Sequence, residues 1–74
     1  MDLNLFVDWY KLVDNLHRKT KSYDKMVEKC GVKREVLVGI KKGDIMEPSW
    51  WDAIKLLDYH YDMMPLDKHL ELSK

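Results

Sequence analysis

The chain has 74 residues, 46% hydrophobic and 35% charged, and its 13 basic and 13 acidic side chains cancel to a formal net charge of zero. That length holds one domain with a small core, and the composition is that of a folded domain rather than a disordered segment. A single cysteine excludes an internal disulfide and the multi-cysteine zinc modules, and no apolar run reaches the roughly 18 residues a bilayer span requires. With no signal-peptide pattern at its start, the chain reads as a cytoplasmic protein of a reducing compartment.

The first predicted helix spans residues 3–17. Leu5, Trp9, Leu12 and Leu16 fall on one stripe at helical spacing, Phe6 and Val13 widen it, and Trp9 is large enough to anchor the core. Residues 17–22 contain no apolar side chain and read as the first connection. Ser22 is then a good N-cap, because its hydroxyl can accept from an unpaired amide of the first turn. Met26, Val27 and Cys30 give the second helix a narrow apolar face, and Gly31 stands where a left-handed terminating residue is wanted. Val32, Val36, Leu37 and Ile40 carry the pattern into a third helix, closed by Gly43. Two short helices about a glycine turn bury little alone and need outer helices to pack on. This is the helix-turn-helix pattern, and residues 22–43 are the expected functional core.

Gly43-Asp44 marks a turn, and the Glu47-Pro48 peptide disfavours helix before the proline. Ser49 caps, or Pro48 opens, a fourth helix that ends near His60 or Tyr61. Its predicted buried stripe is Trp50, Ala53, Ile54 and Leu57, with Trp51 at the margin. Met63-Met64-Pro65 breaks the chain again, and Leu66, Leu70 and Leu72 form a short fifth helix or a tail. No strand pattern and no internal repeat is present. The expected class is all-α, a compact four- to five-helix bundle forming a single domain over residues 1–74.

Charge is unevenly distributed. Residues 1–16 carry −2, residues 17–43 hold nine Lys or Arg against three acids for +6, and residues 44–74 carry −4. Local potential rather than the total steers a polyanion to one face, so the basic stretch points to nucleic acid.

The order of these features resembles the Cro and lambda-repressor family of helix-turn-helix domains, the XRE type, over about 40 residues from Ser22 to roughly Tyr61. The matching features are the cap Ser22, the pair Met26-Val27, the turn Cys30-Gly31-Val32, Arg34, Leu37, Ile40, Gly43 and the Pro48-Ser49 start. The resemblance implies that the third helix enters the major groove of operator DNA. Carried over position by position, Lys33, Arg34, Glu35, Val38 and Gly39 would face bases, and Ser22, Tyr23, Lys41 and Lys42 would meet phosphates. Arg34 and Lys33 can donate to guanine acceptors, and Val38 can meet a thymine methyl. The implied function is a small transcriptional regulator of phage or mobile-element type, acting as a homodimer on double-stranded DNA.

The chain departs from that pattern where it matters for reading DNA. Tyr23 replaces the usual glutamine, Gly39 a usual polar side chain, and Glu35 puts a carboxylate beside the expected phosphate surface. The alternative is a helix-turn-helix domain turned to protein recognition, such as an antirepressor that binds a repressor or an inhibitor of a nucleic-acid enzyme. Trp50, Trp51, Tyr59, Tyr61, Met63 and Met64 are the candidate partner or dimer surface within residues 50–72, since such side chains are enriched at interfaces. Cys30 reads as a buried thiol rather than a nucleophile, and His17, His60 and His69 show no ligand-like spacing. Asp58, Asp62 and Asp67 match no calcium loop and read as an acidic surface. No catalytic constellation, metal site or cofactor is expected, so the chain is not read as an enzyme.

Overall fold

The computed structural model describes residues 7–72. Five helices follow one another, α1 (Trp9–Thr20), α2 (Tyr23–Cys30), α3 (Arg34–Lys42), α4 (Trp50–Met63) and α5 (Leu66–Leu70). No strand occurs among the described residues, and the protein is an all-α bundle.

Three of the helices open on a side-chain cap, and three close on a left-handed residue. Asp8 is extended and its carboxylate accepts from the Lys11 amide at 3.1 Å, so α1 starts at Trp9 rather than at residue 3. The predicted stripe members Leu5 and Phe6 lie outside the described residues. The helix also runs past His17 to Thr20, where the sequence suggested a connection. The reason is electrostatic as well as local. Arg18 and Lys19 place positive side chains on the last turn, where the helix dipole favours them, and Lys21 closes it in a left-handed conformation at φ 61°. Ser22 accepts from the Lys25 amide at 3.3 Å to open α2, and Gly31 ends it at φ 77°. Gly43 ends α3 at φ 86°, and Ser49 opens α4 by accepting from the Asp52 amide.

α1 lies at the centre of the bundle and packs on α2, α3 and α4. Trp9, Leu12, Val13 and Leu16 enter from α1, Met26 and Cys30 from α2, Val32 from the turn, and Leu37 and Ile40 from α3. Ala53, Leu56 and Tyr59 close the core from α4. Each large apolar side chain buried in this way contributes roughly 1.5–3 kcal/mol relative to exposure.

α4 turns a different face inward from the predicted one. The buried residues are Ala53, Leu56, Tyr59 and His60, whereas Trp50 is 64% exposed and Ile54 and Leu57 are only half-buried. The face is rotated by about a quarter turn. Apolar side chains occur all round this helix, so periodicity alone singles out no side. The helix also extends to Met63, beyond the predicted end.

His60 is fully buried, and two side chains from other helices receive it. Its Nδ1 lies 3.1 Å from Nδ1 of His69 on α5, and its Nε2 lies 3.3 Å from Nδ2 of Asn15 on α1. Burial, with His69 adding to it, lowers the His60 pKa to about 4, so the ring is neutral at neutral pH. α5 contributes no buried residue, and its outward Leu66 and Leu70 are exposed. Leu72, just after α5, is buried, and its carbonyl accepts from the Asp8 amide at 2.7 Å. The two ends of the described chain therefore meet.

Candidate nucleic-acid interface

The α2–turn–α3 unit is held at three points. Gly31 supplies the left-handed turn, Val32 is buried and pins the turn to the core, and Leu37 with Ile40 seats α3. Lys55 of α4 donates to the Gly31 carbonyl at 3.4 Å. With Leu37, Gly39 and Ile40 turned inward, α3 presents Arg34, Glu35, Val38 and Lys42 outward, with Lys33 just before it. Arg34, Val38 and Lys42 are spaced by four residues and therefore share one ridge. No part of the described chain covers Lys33, Arg34, Glu35 or Lys42, and Val38 is half-buried.

Two members of the predicted contact set are otherwise engaged. Lys41 forms an ion pair and hydrogen bond with Asp14 of α1, and its ammonium sits 4.6 Å from the centre of the Tyr10 ring. The hydrogen bond from Lys41 holds the Asp14 carboxyl below its ordinary range, and the same bond raises Lys41. Arg18 adds a second cation to Asp14 at 3.0 Å. Lys41 therefore ties α3 to α1 and is not free for a phosphate. Gly39 is not base-facing either. It is buried beneath Ile45, whose Cδ1 would lie 2.6 Å from a Cβ placed on the glycine.

The remaining members are accessible to differing degrees. Ser22 and Tyr23 are half-buried, and the Tyr23 ring stacks on His17 with centroids 4.2 Å apart. Arg34 lies 3.3 Å from Asp24, but both side chains are exposed, and such surface pairs contribute little. The +6 stretch does not all lie on α3. Lys19, Lys25 and Lys29 stand around a separate cleft against the end of α4. Nothing in the sequence singles out these three, although Lys25 and Lys29 are one turn apart on α2.

The predicted protein-binding group is divided. Trp50, Trp51 and Tyr61 are exposed and Met63 marginally so, but Tyr59 is buried in the core and Met64 is half-buried against it. The tryptophans and Tyr61 are also separated by roughly 16 Å along the axis of α4, so they form two patches. Trp51 lies under the Lys55 ammonium, 5.6 Å from the ring centre. Cys30 is buried, and that burial pushes its thiol above the ordinary range. His60 and His69 meet despite standing on separate helices, but no cluster of three metal-ligating side chains forms among the described residues. No helix among them is long and apolar enough to cross a membrane. Comparison with protein-family models, with curated proteins and with solved structures finds no match.

Proposed function

We propose that the protein is a small DNA-binding regulator that lays α3 in the major groove of double-stranded DNA, Lys33 and Arg34 reading base edges. The observation that carries this reading is the exposed set Lys33, Arg34 and Lys42, with half-buried Val38 between them, on a helix fixed from behind by Leu37, Ile40 and the Lys41–Asp14 pair. A rigid helix with a cationic first turn suits groove entry, because the N-terminal side chains of a recognition helix are those that reach bases. Lys42 at the far end of the ridge, and the amides at the start of α2, suit phosphate contacts.

The test is fluorescence anisotropy of a randomised duplex pool followed by selection, at several salt concentrations. Binding should weaken steeply with salt. Arg34→Ala should relax preference at one base pair by about 1–3 kcal/mol, whereas Lys42→Ala should weaken all sequences alike. Absence of duplex binding at low salt would remove the proposal. A second reading is favoured by Trp50 and Trp51, two adjacent tryptophans left more than half exposed. On that reading the helical unit recognises a protein, as an antirepressor does, and Trp50→Ala with Trp51→Ala would abolish the interaction while leaving DNA binding untouched.

A further inference from the structure

We propose that the cleft formed by the end of α1, one flank of α2 and the end of α4 binds a small amphipathic anion, in which the apolar body lies on Tyr59 and Met63 and the acidic head lies between Lys19, Lys25 and Lys29. The cleft encloses about 280 Å³ and is lined by these five residues and Thr20. It lies on the flank of α2 away from α3, and the proposal does not depend on the DNA-binding reading.

The lining combines three features. First, it is basic without counter-charge. Arg18, Arg34, Lys41, Lys11 and Lys68 are each paired with a carboxylate, but Lys19, Lys25 and Lys29 have no ion pair among the described residues. None of the residues lining the cleft is acidic. Lys25 and Lys29 stand one turn apart, where like charges repel, and an anion between them relieves that repulsion. Second, the floor is apolar and firm. Tyr59 is only 8% exposed, and the Thr20 hydroxyl is already committed to the Leu16 and Ser22 carbonyls. Third, the Tyr59 hydroxyl is sealed from solvent, so the part of this residue that lines the cleft is its apolar side.

The size and chemistry together define the ligand class. Pockets for drug-sized ligands usually enclose roughly 300–1,000 Å³, so this one suits a short acyl chain or a single aromatic ring with a carboxylate or phosphate head. A bare anion would leave the floor bare, and a neutral hydrocarbon would leave three ammoniums uncompensated.

The experiment is titration of the full chain with octanoate, inorganic phosphate and octanol, read by amide chemical shifts and by calorimetry. Octanoate should bind saturably at one site and shift amides around residues 19–29 and 59–63. Phosphate and octanol should bind at least about tenfold more weakly, because each lacks one half of the recognition. Lys25→Gln with Lys29→Gln should lower octanoate affinity at least about tenfold without moving the thermal midpoint, since both side chains are exposed. Met63→Gln should lower it independently of salt. Octanoate binding no tighter than phosphate reduces the site to a cationic patch, and binding no tighter than octanol reduces it to an apolar one. Either result, or affinity unchanged in the double lysine variant, overturns the proposal.

Discussion

Replacing Gly39 by alanine tests how α3 is seated. In an open helix this change stabilises by about 1 kcal/mol, because glycine loses more backbone freedom on folding. Here the added Cβ would meet Ile45 Cδ1 at 2.6 Å and Cγ1 at 2.9 Å, both far inside contact distance. Ile45 has little freedom to withdraw, since its own amide and that of Asp44 both donate to the Gly39 carbonyl, at 3.0 and 2.9 Å. Overpacking of this kind costs about 1–3 kcal/mol. The net expectation is a loss of up to about 2 kcal/mol, in place of the gain propensity alone would give. Shortening Ile45 to alanine removes both offending carbons and leaves its Cβ at 3.6 Å, an ordinary contact. In that background Gly39→Ala should stabilise by about 1 kcal/mol. Urea unfolding of the four proteins, followed by tryptophan fluorescence, closes the cycle. If Gly39→Ala stabilised equally with Ile45 present and absent, the loop after α3 would not lie on the helix as described.

Three further outcomes are expected. His60 is held at about 4 in the folded chain against an ordinary 6.5, so the unfolded chain binds a proton that the native one refuses. Stability should therefore hold above pH 6.5 and decline as pH falls toward 4, by up to about 3 kcal/mol across that window, and His60→Gln should flatten the decline in urea midpoints. Leu56→Ala should cost about 2–5 kcal/mol and Trp50→Ala no more than about 0.5 kcal/mol, and thermal denaturation showing the reverse would refute the assigned face of α4. The Cys30 thiol should react with an aromatic disulfide reagent far more slowly than a free cysteine, with full reactivity restored in urea.

Features set by adjacent residues were legible in the sequence. Ser22, Gly31, Gly43 and Ser49 act within a turn of their own position, and each does in the fold what its side chain, or lack of one, suggests. The start of α1 is not legible because the apolar period runs on through Leu5 and Phe6, and the Asp8 carboxylate that sets the boundary looks like any surface acid. The inward side of α4 is not legible because hydrophobic side chains ring it, and its choice of Leu56 over Trp50 depends on what α1 and α2 offer. The Lys41–Asp14 pair, the seat of Ile45 on Gly39 and the meeting of His60 with His69 depend on how separate helices dock. No local pattern announces them, so nothing near Lys41 or Gly39 in the sequence shows that the first is engaged and the second buried.

The contact between the Asp8 amide and the Leu72 carbonyl has a consequence for assembly on the ribosome. A ribosome delivers residue 72 after all of the helices, yet that leucine fills part of the interior and its carbonyl secures the segment leading into α1. Nascent chains stalled before this position would hold the helices without their final clasp. Stable, protease-resistant structure should therefore emerge only once translation has passed Leu72, in a single late step.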